Sequence, residues 1–327
     1  MSALPPDSIG NLRPSTVALR HIFGYSDHSL NTTLALEDTN FRAKLPDSPV
    51  TDLLLVSVDI DTGSFLSYRI LDNEKQYSIG ISVLDTRKMQ ADSKSTSQDE
   101  RHQHTVQSFQ FTVGQGTYVN RACGRFLFGE TKPIIFSELK AEFDAIVQGR
   151  EYVLICHVSQ ADMMVLRQLD IGQQALYILD TVYASRFPLQ LDFQPSLERL
   201  LEVLRIPFHN LHAAGNDAHF VLKALLLLAV HDARVQHVVL SNAVLEVLMG
   251  LEDIARSPVP APKPKPPQKP PRIKQPKQPK QPKRTDTART RRRERRRLER
   301  EAKELEDTAC ANDKSTVDVL TDIFAQF

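Results

Sequence analysis

Cysteine is scarce in this chain: three residues in 327, Cys123, Cys156 and Cys310, odd in number and widely spaced. That pattern excludes a disulfide framework and a zinc knuckle, and predicts a reducing, intracellular setting, nucleus or cytoplasm. Long apolar runs are also missing. The longest apolar helix candidate, Val221 to Val230, is too short to span a bilayer, and no charged-then-apolar leader opens the chain. Membrane partners and secretion are therefore not expected. There is no internal repeat, RNA-recognition motif, helix-turn-helix or zinc finger.

What is present is an uneven distribution of charge. The net charge of +1 combines a body, residues 1–262, with 22 Lys+Arg against 30 Asp+Glu, and a tail, residues 263–327, with 19 against 10. Body and tail are physically different objects. Residues 257–287 mix Pro with Lys and hold almost nothing apolar, which predicts an extended, polyproline-like linker. Residues 288–327 form a basic arm: Arg291, Arg292, Arg293, Arg295, Arg296 and Arg297 surround a single Glu. Such density can neutralise several phosphates without reading sequence, and it also suits a nuclear-import signal or a solvated arm. The last stretch places Val317, Leu320, Ile323, Phe324 and Phe327 on one helical face, an element able to dock on the body or on a protein partner.

The body alternates strand and helix patterns. Leu53 to Asp59, Gln76 to Leu84 and Thr105 to Val113 read as three strands in a meander. Helix patterns at Ser137 to Val147, Gln160 to Leu169, Ser196 to Leu204 and Asp217 to Val230 alternate with strands at Tyr152 to Cys156 and Leu176 to Leu179. This order predicts an α/β fold, a mixed five-stranded sheet flanked by helices. The polar residues 86–104 read as a loop, and residues 1–50 as an extension with a short helix at Ser15 to Phe23 ended by Gly24. The core domain is expected over 51–256.

Four acids fall where α/β sheets gather their chemistry, at strand ends and helix starts. Asp59 and Asp61, in "VSVDIDTG", share one face of the first strand because alternate residues point the same way. Asp162 follows the strand Tyr152 to Cys156, and Asp217 opens the long helix. Like charges gathered in one place repel, and hard divalent cations, Mg²⁺ or Mn²⁺, are the natural counterweight. Two such ions activate a water and stabilise the leaving oxygen of a phosphodiester. His212, five residues before Asp217, suits the role of general base. The spacing His157/Asp162 is identical, but His157 ends an apolar strand and is expected to pack or orient. Asp180 in "ILDT" is expected to form a strand-end turn, and His102 and His104 lie in a polar stretch with little to recommend a metal site.

Over residues 50–235 these stretches resemble the DEDD-type 3′-to-5′ exonucleases of the ribonuclease-H-like fold, in the subclass with a His-x4-Asp third motif. "DIDTG" is similar to the first motif, "CHVSQADMMVL" to the second with Asp162 as its acid, and "HAAGNDA" to the third with His212 and Asp217; "ILDT" matches a recurrent strand. The stretches Phe126 to Thr131 and Asn210 to Ala218 are most similar to a fungal group named after good-for-full-DEAD-box-activity protein. The resemblance implies a two-metal exonuclease acting on RNA or single-stranded DNA, with Asp59, Asp61, Asp162 and Asp217 holding two divalent cations and His212 as base. One position departs from it: the family's second acid is Glu, and here Asp61 is shorter by a methylene. That departure leaves open a catalytically inactive adaptor in RNA processing or export.

Overall fold

The computed structural model describes residues 13–25, 50, 52–63, 69, 71–88, 106–157, 160–236 and 240–262. These fall within the unit Met1–Pro264. The linker beyond 262, the arginines 291–297, the carboxyl-terminal helix pattern, His102 and His104 lie outside the described residues.

Alternation builds the central strand. In β1 (Leu54–Thr62), Leu54, Val56, Val58 and Ile60 face one side, and Leu55, Ser57, Asp59 and Asp61 the other. β2 (Tyr77–Asp85) and β3 (Val106–Val113) extend the sheet antiparallel, with Asp59 opposite Gly80 and Asp61 opposite Ser78. On the other flank, β5 (Tyr152–Cys156) runs parallel to β1 and β6 (Tyr177–Asp180) parallel to β5. With the edge strand β4 (Thr131–Pro133), the full order is β4-β3-β2-β1-β5-β6. This is the ribonuclease-H-like mixed sheet flanked by helices that the sequence predicts. It carries six strands where five are expected: the extra one, β4 (Thr131–Pro133), is a three-residue edge strand too short and too polar to show any alternation.

Helices cover both faces. α1 (Pro14–Ile22) is the first helix of the described residues, and α2 (Thr117–Arg125) lies between β3 and β4 along the chain. α3 (Phe136–Val147) and α4 (Gln160–Gln168) pack on the Val56/Ile79 face, where Leu139, Phe143 and Val165 meet the strands. The opposite face takes α1, α5 (Thr181–Arg186), α6 (Leu197–Leu204), α7 (Ala214–Val235) and α8 (Asn242–Arg256). α7 is buried nearly all round, since it is sandwiched between the sheet and those other helices. Arg20 and Asp232 form a buried bidentate pair, 2.8 and 2.9 Å, that ties α1 to α7. Removing one partner would leave an uncompensated buried charge, at a cost of about 3–5 kcal/mol. Among the described residues no helix is long and apolar enough to cross a membrane.

Packing of α7 dictates where the site forms. The sheet face beneath its first turns is built from small or polar residues, Ser57, Gly80, Ser82 and Ser108, instead of the large aliphatics found farther along. Helix backbone can therefore approach sheet backbone. A Cβ on Gly215 would fall 2.6 Å from the Phe126 ring and 2.9 Å from Gln110, so the helix start is equally tight on its other side.

Candidate active site

The open end of β1 creates the site. Its pairing with β5 is registered only as far as Ser57 opposite Ile155, so Asp59 to Thr62 extend beyond that neighbour. The first turn of α4 fills the gap: the backbone N–H of Ile60, lying between the two acids, donates to the Asp162 carboxylate. From above the sheet, the first turn of α7 brings Asp217 toward the same edge.

Electrostatics records how the four acids meet. Asp59 keeps some solvent contact, yet burial first and the Asp61 charge second push its carboxyl up to about 7. Asp162 and Asp217 are both 8% exposed and are both held well above the ordinary carboxylate range. In each case burial is the larger cause, the Asp59 charge the next, and Asp61 a lesser one. Asp162 and Asp217 each thus lie within the fields of Asp59 and Asp61. Arg125 acts on Asp217 in the opposite sense, but it is the last of that residue's causes and does not balance the cluster.

His212 stands at the rim. It is exposed, its φ of 64° places it in the left-handed region, and its backbone N–H donates to Asp217 Oδ2 at 2.9 Å and Oδ1 at 3.3 Å. The turn therefore aims the imidazole outward while its backbone steadies the acid. His157 is placed differently: Thr181 Oγ1 donates to the Cys156 carbonyl at 3.0 Å, so His157 Nδ1 donates to Thr181 Oγ1 at 2.8 Å. Burial lowers its pKa to about 4, which keeps the ring neutral at the root of α5. Asp180 caps α5 by accepting the Val182 N–H at 2.8 Å.

Three residues that sequence reasoning passed over hold the site together. Asn216, fully buried, donates from Nδ2 to the carbonyls of Arg125 (3.0 Å) and Asn210 (2.9 Å) and accepts the Leu127 N–H on Oδ1 (3.0 Å). Gln110 accepts the Gly215 N–H at 3.1 Å and donates to Thr131 Oγ1 at 2.8 Å and the Ala122 carbonyl at 3.2 Å. Together with Gly80 they lock the start of α7, and hence Asp217, against the β1 edge. The "GND" in the third motif was the available signal: a buried amide beside a glycine implies backbone carbonyls in need of donors.

The donor chemistry fits a hard divalent cation. The ligands on offer are all carboxylate oxygens, with three of them destabilised as anions by burial first and by the charges of the β1 acids second. The hydroxyls of Ser57 and Ser78, which flank these acids on the sheet, are buried and have no hydrogen-bond partner among the described residues. Among the described residues no three His, Cys, Asp or Glu side chains are grouped closely enough to hold an ion as they stand. The acids share a field without forming a closed coordination shell.

The chain has no match among curated proteins. A family model described as DNA polymerase III subunit epsilon-like, C-terminal domain, of the DEDDh class, matches residues 64–228, just over half of the chain. The matched span includes Asp162, His212 and Asp217 and begins directly after the strand that carries Asp59 and Asp61. With that match on a ribonuclease-H-like sheet, the chain belongs to the DEDDh exonuclease family.

Proposed function

We propose that this protein is a 3′-to-5′ exonuclease that hydrolyses phosphodiester bonds at the end of RNA or single-stranded DNA. The observation that carries the reading is the electrostatic meeting of acids from β1, α4 and α7 at one sheet edge. Asp59, Asp61, Asp162 and Asp217 would hold two divalent cations, Mg²⁺ or Mn²⁺. When bound, such ions supply Lewis acidity toward the phosphate and a lowered pKa for water. The chain's own contributions are then definable. The carboxylates would fix the reacting phosphate's position through the ions they hold. His212, exposed at the rim with its backbone anchored on Asp217, accepts the proton of the attacking water at a ring nitrogen. Arg291, Arg292, Arg293, Arg295, Arg296 and Arg297 would hold the polymer by sequence-independent phosphate contacts, and the same run suits nuclear import. The likeness of Phe126 to Thr131 and Asn210 to Ala218 to the fungal good-for-full-DEAD-box-activity group supports a role close to RNA metabolism.

A second reading, a catalytically silent adaptor binding nucleic acid or protein, draws on two observations: Asp61 in place of the family's Glu, and acids not grouped to hold an ion as they stand. A 5′-labelled single strand incubated with Mn²⁺ or Mg²⁺ separates the two. The exonuclease reading expects stepwise shortening from the 3′ end, abolished in Asp217→Asn with strand binding retained. No shortening by the parent protein in either metal would leave the adaptor.

A further inference from the structure

α2 lies across the mouth of the acidic site and is otherwise unexplained. Its amino-terminal end is pinned on the β1 side: the Tyr118 N–H donates to Gln76 Oε1 at 3.0 Å, and Gln76 offers its carbonyl to Thr62 Oγ1 at 3.0 Å. The Tyr118 ring sits beside Gly63, two residues past Asp61. Its carboxyl-terminal end is pinned on the His212 side, where Arg125 Nη1 donates to the Leu211 carbonyl at 3.3 Å and the Arg125 carbonyl accepts from Asn210 and Asn216. The helix therefore bridges the two banks of the site.

Helical periodicity puts Tyr118, Arg121 and Arg125 on one stripe, at spacings of three and four. Arg121 is exposed and Arg125 half-buried, and among the described residues neither forms an ion pair. Arg20, Arg87, Arg150, Arg199, Arg234 and Arg256 each meet a carboxylate, while among the described residues Arg121 and Arg125 share their lack of one with Arg13, Arg167, Arg186 and Arg205. Arg125 even stands within the field of Asp217 without forming a pair with it. The stripe from Tyr118 to Arg125 is about 10 Å long at the rise of an α-helix, roughly three nucleotide steps of a stacked strand.

We propose that Arg121 and Arg125 on α2 are a phosphate seat, holding the backbone of the strand whose end reaches the carboxylates. Positive charge here serves a need created by the site itself, because four acids repel a polyanion unless cations alongside them offset the field. Planar guanidinium groups suit phosphate oxygens better than ammonium does. The substrate class follows: a single strand lying along one helix, held without reference to base identity. The seat rests on the proposed nuclease reading, but binding can be tested apart from cleavage.

The test uses the full chain and a short 5′-labelled single strand. Affinity is measured across a salt series with chelator present, and KM and kcat are measured with Mn²⁺. Removing one phosphate contact should make the slope of log affinity against log salt shallower by about 0.7. Arg121→Ala is expected to show that change and to raise KM by more than it lowers kcat. Arg121→Lys and Arg125→Lys, which keep the charge, should retain the parent slope, as should Arg205→Gln, on the end of α6. A slope and KM for Arg121→Ala equal to the parent's would overturn the seat, even if the parent cleaves. A parent that does not cleave but whose salt slope falls in Arg121→Ala keeps the seat and removes the nuclease reading.

Discussion

Gly80 and Ala214 touch through their backbones: a Cβ on Gly80 would lie 1.9 Å from the Ala214 carbonyl oxygen. Gly80 is also the register partner of Asp59. The closest approach of α7 to the sheet thus falls beside the acid at the centre of the site. Gly80→Ala has no flexible neighbour to push aside, so either β2 or α7 must move. The expected loss is about 3 kcal/mol, the upper part of the range for overpacking, read as a lower urea midpoint at unchanged slope. A variant as stable as the parent would mean that α7 does not sit where the site requires it.

Asp59 should weaken the fold at neutral and alkaline pH when no cation is supplied. Its carboxyl is raised to about 7 in the folded chain against an ordinary 3.8, so the native state binds the proton more tightly than the unfolded state does. The stabilisation this gives is complete below pH 4 and is lost as pH rises through 7. In chelator at pH 8, Asp59→Asn is expected to be more stable than the parent by on the order of 2 kcal/mol. Mn²⁺ should raise the melting temperature of the parent and have little effect on the variant, because a ligand of the native state stabilises by mass action. Equal melting temperatures in chelator would contradict the burial and repulsion argued for this residue.

Much of this arrangement is legible from local pattern, and the illegible part has a common cause. β1, β2, β3, β5 and β6 announce themselves by alternation or by short apolar runs, and the acids by their places at strand ends and helix starts. β4 does not, because a three-residue edge strand containing Pro133 has no face to bury. α2 is hidden because it starts after Gly116, contains Gly124, and buries only Val119 and Ala122. α7 begins at Ala214, three residues before the acid that seemed to open it, since its first turn is held by long-range bonds, from Gly215 to Gln110 and from Asn216 to the Arg125–Leu127 stretch, and by no cap of its own. Long-range hydrogen bonds of this kind leave no period in a sequence.

Asn216 concentrates that dependence in one side chain. Asn216→Ala would orphan the buried Leu127 N–H and withdraw donors from the carbonyls of Arg125 and Asn210. About 3 kcal/mol of destabilisation is expected in urea unfolding, at the upper end for a buried amide, because the Leu127 N–H and the Asn210 carbonyl lose their partner at once and the Arg125 carbonyl keeps only Asn210. The end of α2 and the turn that carries His212 should loosen before the rest of the fold, so amide exchange at Leu127 and His212 should rise more than at β1. Uniform exchange across the domain would argue against a local clamp.

Lys223 supplies a pH signature independent of the acids. It is 1% exposed, its ammonium donates to the Ser257 carbonyl at 2.7 Å, and burial lowers its pKa to about 8. The unfolded chain holds this proton to about pH 10, so between pH 8 and 10 it binds more protons than the native state and stability should rise with pH. The rise is up to about 3 kcal/mol. Tyr152 and Tyr177, both pushed by burial to about 12, act in the opposite sense only above pH 10. The difference between the parent and Lys223→Met therefore isolates the lysine. A parent as flat as the variant from pH 8 to 10 would show that its ammonium is solvated.

Asp61 is where reach and charge come into conflict. Its Oδ1 accepts the N–H of Thr62 at 2.9 Å, so the short side chain is folded back on its own strand. The family's Glu carries one more methylene and could extend past that amide. If the two-ion reading holds, Asp61→Glu should let the acids close on metal with less movement of backbone. Cleavage in Mg²⁺, the ion less tolerant of imperfect geometry, should rise by about tenfold or more, and cleavage in Mn²⁺ by less. That rise is roughly 1.4 kcal/mol of transition-state stabilisation, within what one well-placed charge supplies. A parent already as active in Mg²⁺ as Asp61→Glu would show that the shorter acid is no handicap, and a variant and parent both inert in either ion would assign the whole cluster to binding without chemistry.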